Sequence, residues 1–241
     1  TKDVELARER YLSIVRRAAK PVQTDRWYYY GYYGNYVPLP TLENALKIAQ
    51  TDNDKALMHY LIGMTIKNQG GSFEQRQRVP EEFEAAVKFG KGNDWYDDAL
   101  YHYAEWMMSQ GRFNATENGG YRQEPDNKKA LELFRKLVAE FAKGESRYLE
   151  QAQQQINSIT GVQLYVSVGN IFLPGSEVQY YLNWRNVKEI ELTLYPVNLT
   201  KDVQMGGNEE RRQNWLQSIE LNGREKVKTW KHDTKDKGDY N

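Results

Sequence analysis

The 241-residue sequence contains no cysteine and only three histidines. Without cysteine the chain can form no disulfide, no zinc–thiolate site and no cysteine nucleophile. No two of its histidines, His59, His102 and His232, are four residues apart, so no helix presents a two-histidine metal face. We therefore expect no metal, no cofactor and no catalytic residue within this sequence, and we predict that the chain is not an enzyme.

Long apolar runs and an excess of one charge are also absent. No apolar stretch approaches the roughly 20 residues that a helix needs to cross a bilayer, so we expect no membrane span. Lys and Arg total 33, as do Asp and Glu, which leaves no positive surplus to bind nucleic acid. Because the sequence starts at Thr1 and stops within a polar run, we expect it to be a piece of a longer polypeptide.

Residues 1–159 show apolar side chains at helical spacing in seven segments. The clearest segment follows Asp126, which is expected to cap a helix. Its apolar residues fall on one helical face, namely Ala130, Leu133, Phe134, Leu137, Val138 and Phe141. Pro80 is expected to open another helix, and residues 112–125 to form a loop. We predict an all-helical domain over residues 1–159, built from stacked helical hairpins.

Two helical segments resemble the tetratricopeptide repeat. Leu100, Tyr103, Ala104 and Met107 are similar to its first helix, and Ala130, Phe134 and Leu137 to its second. The interval from Ala85 to Ala130 is 45 residues, longer than the family period of about 34, so the repeats are expected to be degenerate. The resemblance implies a concave peptide groove, lined by Asp98, Tyr101, Glu105 and Met108. An ordinary solvated helix face is the alternative explanation of these four residues.

From Gly161 onwards the apolar residues alternate with polar ones. The alternating sets are Val162, Leu164, Val166 and Val168, then Val178, Tyr180, Leu182 and Trp184, then Ile190, Leu192 and Leu194. This pattern is typical of antiparallel strands with one buried face, and residues 224–232 are expected to add a further strand. We predict an α+β chain in two segregated parts, the second being an antiparallel β-sandwich over residues 160–241. About four strands are countable where a small sandwich has seven, so this domain is expected to be truncated.

Three blocks of the second part carry a more specific resemblance. They are IFLPG at 171–175, YLNWRNV at 181–187 and LTLYPV at 192–197. Together they resemble the first macroglobulin-type domain of bacterial alpha-2-macroglobulin-like proteins. The resemblance implies an exported protein of the periplasm or cell envelope, where relatives entrap proteases or support envelope defence. This piece would then be a scaffold that contacts a protein or peptide partner and the remaining domains of its own polypeptide.

An aromatic cluster near the start of the sequence indicates a different function. Trp27, Tyr29, Tyr30 and Tyr33 could form a platform that binds a sugar or a peptide, or could simply pack against the first helices. With a sugar ligand, the chain would be a helical carbohydrate-binding module of an outer-membrane nutrient-uptake system. A hydrolase whose active site lies elsewhere in the longer polypeptide is a third possibility.

Overall fold

The computed structural model describes residues 2–23, 37–70, 72–169, 172–173, 175–198, 200–202 and 219–240, with the backbone alone over residues 18–23. The chain divides into two compact units. We call Thr1–Gly161 with Asp239–Asn241 the helical unit, and Val162–Gly238 the strand unit. The predicted aromatic platform of Trp27, Tyr29, Tyr30 and Tyr33 lies outside the described residues.

The described residues form seven α-helices and six β-strands, which confirms the predicted combination of helices and antiparallel strands. The helices are α1 (Lys2–Gln23), α2 (Leu39–Ile48), α3 (Asp52–Gln69), α4 (Phe73–Val87), α5 (Tyr96–Ser109), α6 (Asn127–Glu140) and α7 (Leu149–Thr160). The strands are β1 (Arg112–Ala115), β2 (Tyr121–Glu124), β3 (Gln163–Ser167), β4 (Tyr181–Arg185), β5 (Glu189–Leu194) and β6 (Lys228–Asp233). They pair antiparallel as β1–β2, β3–β4 and β5–β6.

The helix ends show where local sequence signals decide the structure. Asp126 caps α6, as predicted, by accepting a hydrogen bond from the Lys129 amide. The prediction that Pro80 opens a helix is wrong, because Ser72 and Gln75 form a capping box that starts α4 at Phe73. Pro80 lies inside α4, whose buried face fixes the helix against its neighbours.

The segment predicted as a loop over residues 112–125 contains the β1–β2 hairpin instead. Its register pairs Arg112 with Glu124 and Ala115 with Tyr121. Phe113 and Tyr121 of the hairpin both contact the ring of Phe73 in α4, with the Tyr121 ring stacked on it. These aromatic contacts lie between residues far apart in sequence, so the local turn signals around Gly119 and Gly120 could not indicate them.

The core of the helical unit is continuous. Each helix from α2 to α7 packs on its neighbours in the chain, and α3 also contacts α5. Close approach of α3 and α4 depends on Gly63, because a Cβ there would lie 2.9 Å from Cε1 of Phe83. Tyr60, Phe83 and Phe134 are among the largest fully buried side chains. Asn127 at the start of α6 donates a hydrogen bond to the Tyr240 carbonyl at 2.6 Å.

The described part of the strand unit contains two antiparallel pairs whose apolar sides meet. The register of β3–β4 places Leu164 opposite Trp184 and Val166 opposite Leu182, and that of β5–β6 places Leu192 opposite Trp230. The rings of Trp184 and His232 approach to 5.3 Å, and Trp230 Nε1 donates a hydrogen bond to Tyr180 at 3.1 Å. The alternation in the sequence therefore identifies which side of each pair is apolar.

The expected burial of that apolar side is only partly realised. Among the described residues of the strand unit, Ile190 is the one fully buried apolar side chain. Leu164, Val166 and Leu194 remain 49%, 46% and 52% exposed. The prediction of a fully buried face is corrected for these positions, because two-stranded pairs are too narrow to cover each other's apolar side chains.

Candidate functional site

Charged and aromatic side chains from two helices and from the segment before α7 meet on one side of the helical unit. We call this group the polar cluster, and its members are Lys67, Asp98, His102, Glu105, Arg147 and Tyr148. Lys67 belongs to α3, Asp98, His102 and Glu105 belong to α5, and Arg147 and Tyr148 precede α7. Asp98 lies in the first turn of α5, while His102 and Glu105 follow on the same helical face.

Asp98 is the buried anion of the polar cluster, with only 4% of the residue exposed. Its Oδ1 accepts hydrogen bonds from Arg147 Nη2 at 2.6 Å and from the Tyr148 hydroxyl at 3.1 Å. Burial raises the pKa of the Asp98 carboxyl to about 6, because loss of hydration outweighs the attraction of Arg147. At neutral pH Asp98 is therefore ionised and paired with Arg147, but its carboxylate has lost most of its hydration.

His102 lies between the Asp98–Arg147 ion pair and the Lys67–Glu105 ion pair. Its Nε2 lies 3.3 Å from the Tyr148 hydroxyl and its Nδ1 lies 3.4 Å from Lys67 Nζ. Its Nδ1 also lies 3.2 Å from Glu105 Oε2, so the imidazole contacts both members of the Lys67–Glu105 pair. Burial lowers the pKa of His102, so the imidazole is neutral at pH 7.

Lys67 and Glu105 form the more exposed end of the polar cluster. Their side chains form an ion pair and are 20% and 36% exposed. Burial alone would raise the pKa of Glu105, but the contacts with His102 and Lys67 lower it to about 2. Since His102 is neutral at pH 7, Lys67 supplies the positive charge that keeps Glu105 ionised there.

The rings of Tyr60 and Tyr101 pack against side chains of the polar cluster. Tyr148 stacks on Tyr101 with ring centroids 4.3 Å apart and planes inclined by 11°. Tyr60 stacks on His102 at 6.0 Å, and its hydroxyl is buried without a hydrogen-bond partner among the described residues. Such packing fixes the side-chain rotamers, so the surface that these residues present is preorganised.

The chemistry of the polar cluster suits binding better than proton transfer. Asp98 has two partners within the cluster and His102 has three, and their side chains are 6% and 16% exposed. The groups a ligand could reach are the Lys67–Glu105 pair and the edge of Arg147, whose side chain is 28% exposed. Across the described part of the chain, no three acidic or histidine side chains are grouped to hold a metal ion.

The predicted groove residues fall into two classes. Asp98 and Tyr101 are 4% and 8% exposed and support the polar cluster from within, whereas Glu105 and Met108 are half-buried. Met108 packs against the apolar core of the helical unit. A peptide on this side would therefore meet Glu105 first. The sequence did not indicate Arg147 and Tyr148 as members, because they lie about 50 residues from Asp98 and outside any helical repeat pattern.

A concave feature lies where the β1–β2 hairpin meets the start of α6. It is a shallow cavity of about 190 Å³ whose lining includes Arg112, Glu124 and Lys128. Asn114 donates a hydrogen bond to Glu124 at 2.7 Å across this surface. Charges of both signs line it, so it shows no preference for one class of ion.

A scan against protein-family models matches no family, and searches of curated proteins and of solved structures find no match. In the part of the chain that the structure describes, no helix is both long and apolar enough to cross a membrane.

Proposed function

We propose that this chain is a non-catalytic scaffold and protein-interaction fragment of an exported alpha-2-macroglobulin-like protein of the cell envelope. The observation that carries the proposal is the exposure of apolar strand side chains in the strand unit. Leu164 and Val166 are 49% and 46% exposed on the apolar side of the β3–β4 pair. On its other side, Tyr165 and Tyr181 are 65% and 69% exposed. Apolar surface grouped in this way is characteristic of a protein contact.

The arrangement of the two strand pairs supports a macroglobulin-type sandwich that needs further strands. Their apolar sides meet at Trp184 and His232, as the two layers of a sandwich do. Four strands leave Val166 and Leu194 half-exposed, and more strands in each layer would cover them. The strand blocks YLNWRNV and LTLYPV provide the family resemblance on which the envelope location and the role in protease entrapment or defence rest.

The helical unit supports the scaffold half of the proposal. Its helices pack on their chain neighbours, as in an array of tetratricopeptide-like hairpins, and α3 and α5 lie side by side. Gly63 and Phe83 form a small-to-large contact between the two helices of one hairpin. The polar cluster lies on the side formed by α3, α5 and the start of α7, where such arrays bind peptides.

Site-specific photo-cross-linking in the native cell tests the proposal. A photoreactive amino acid in place of Tyr181 should cross-link to protein, because this side chain is exposed on the strand unit. The same group in place of Lys88, whose side chain is 72% exposed on the helical unit, is the matched control. The coding sequence after Asn241 should encode further macroglobulin-type domains. A catalytic domain there, or no protein adduct at Tyr181, would contradict the proposal.

A further inference from the structure

The outer edge of β3 is uncharged and, in the part of the chain that the structure describes, open. One edge of this strand pairs with β4, and among the described residues its other edge pairs with no strand. No charged residue occurs between Glu150 and Glu177, so β3 and its flanking residues carry no charge at all. Val162 and Val168 on either side of β3 are 73% and 55% exposed. Free edges of this kind are templates for pairing with another strand.

The other strands of the same unit carry the charges that normally discourage such pairing. Glu189 and Glu191 lie on β5, Lys228 and Lys231 on β6, and Arg185 ends β4. Charged side chains on edge strands oppose the approach of a second sheet. The contrast identifies β3 as the strand at which another strand can be added at the lowest electrostatic cost.

The sequence of β3 is also symmetric about Tyr165. Counting outwards from Tyr165, the chain has an aliphatic residue, an uncharged polar residue and a valine in both directions. These three pairs are Leu164 with Val166, Gln163 with Ser167, and Val162 with Val168. An antiparallel strand pair with a two-fold axis at Tyr165 would place each of these partners directly opposite the other.

We propose that two copies of this chain associate by antiparallel pairing of their β3 strands about Tyr165. Leu164 of one copy then lies opposite Val166 of the other on the apolar side, and Gln163 lies opposite Ser167 on the polar side. The two Tyr165 rings meet across the two-fold axis, and aromatic cross-strand pairs stabilise antiparallel sheets. The symmetric arrangement uses the same surface on both copies and is therefore closed.

The pairing extends each two-stranded β3–β4 sheet to four strands, in the order β4–β3–β3–β4. Leu164, Val166, Leu182 and Trp184 of both copies then form one continuous apolar side. Wider sheets with an apolar face are stable where two-stranded pairs are marginal, so association compensates for the narrow sheets of the single chain. The inference uses the geometry of β3 alone and goes beyond the proposed family function.

Sedimentation of the whole chain, measured over a range of concentrations, tests the dimer. Tyr165→Lys places like charges directly opposite each other at the axis and should raise the dissociation constant by at least about tenfold. Tyr181→Lys is the matched control, because Tyr181 is 69% exposed on the same side of the sheet, on β4 rather than at the open edge. Tyr181→Lys should leave the dissociation constant within about threefold of the parent.

Mixing charge variants separates pairing at Tyr165 from loss of folding. The Tyr165→Lys and Tyr165→Glu variants should each remain monomeric alone, while an equimolar mixture should form the heterodimer, because opposite charges then meet at the axis. Failure of the mixture to associate, when circular dichroism shows both variants folded, would overturn the proposal.

Cysteine cross-linking gives the position of the axis, since the chain has no cysteine of its own. Directly opposite residues have Cα atoms about 5 Å apart, which a disulfide can span, so Tyr165→Cys should form a covalent dimer on oxidation. Tyr181→Cys should not, because the two β4 strands would lie about 14 Å apart. A chain that stays monomeric at every concentration, or a dimer that Tyr165→Lys and Tyr181→Lys affect equally, would overturn the proposal.

Discussion

The rings of Tyr60 and Tyr148 both contact the ring of His102, but the hydroxyls of the two tyrosines differ in their hydrogen bonds. The Tyr148 hydroxyl contacts Asp98, Arg147 and His102. The Tyr60 side chain is fully buried, yet its hydroxyl has no hydrogen-bond partner among the described residues. Burial raises the pKa of Tyr60 far above its usual value, so this hydroxyl is neutral at all relevant pH.

We expect opposite effects from removing these two hydroxyls. Tyr60→Phe should raise the free energy of unfolding by about 1 kcal/mol, because an unpaired buried hydroxyl costs free energy that the fold does not recover. Tyr148→Phe should lower it by about 1–2 kcal/mol, because Asp98 loses a donor in a buried site. Urea denaturation of both variants measures the difference, and two changes of the same sign would contradict this account of the polar cluster.

The raised pKa of Asp98 predicts a pH dependence of stability. The folded chain holds this proton up to pH about 6, whereas the unfolded chain releases it near the ordinary pKa of an aspartate, 3.8. Protonation therefore favours the folded state, and the contribution of Asp98 to the free energy of unfolding is lost as pH rises through 6. Relative to Asp98→Asn, the parent should lose about 2 kcal/mol between pH 4 and pH 7. A difference that is constant over this range would contradict the assigned burial of the carboxylate.

Sequence patterns could predict only part of this cluster. The tetratricopeptide resemblance implies that Asp98, Tyr101 and Glu105 share one face of a helix, and all three lie on α5. Arg147 joins them only because α6 turns the chain back, across 49 residues, to place it beside Asp98. Patterns within a helix carry no information about such contacts, so the identification of Asp98 as a buried anion required the tertiary structure.

At the scale of elements, Gly63 allows α3 and α4 to approach closely. We expect Gly63→Ala to destabilise the chain by about 1 kcal/mol, because overpacking against Phe83 outweighs the gain in helix propensity. Gly92→Ala is the control, since no atom lies within 4 Å of its added Cβ, and it should change stability by less than about 0.5 kcal/mol. Thermal unfolding should show a lower melting temperature for Gly63→Ala than for Gly92→Ala. Equal melting temperatures would contradict this expectation.

Helices were predicted correctly where one local sequence signal marked the start, and wrongly where two signals marked different starts. The spacing after Asp126 predicted α6 and its face, of which Ala130, Leu133, Phe134 and Leu137 are buried. Pro80 was a strong signal that gave the wrong start for α4, because the capping box at Ser72 begins the helix earlier. Pro80 has no backbone N–H, so α4 lacks one helical hydrogen bond. The burial of Val79 and Phe83 offsets this cost.

At the scale of the whole molecule, the two units differ in how complete their cores are. The helical unit buries large side chains from every helix whose side chains are described. In the described part of the strand unit, Ile190 is the fully buried apolar residue, while Leu164 and Val166 are half-exposed. We infer that the helical unit is a self-sufficient scaffold and that the strand unit is stabilised by contact with another strand.

Amide hydrogen exchange of the whole chain, followed by mass spectrometry at low and high concentration, tests this inference most directly. Peptides from α3, α5 and α6 should exchange slowly at both concentrations, because their amides lie in packed helices. Peptides that cover β3 should exchange quickly in the dilute chain and become protected as the concentration rises, while those that cover β6 should not change. Full protection of β3 in the dilute chain, or exchange at β3 that does not depend on concentration, would contradict the account.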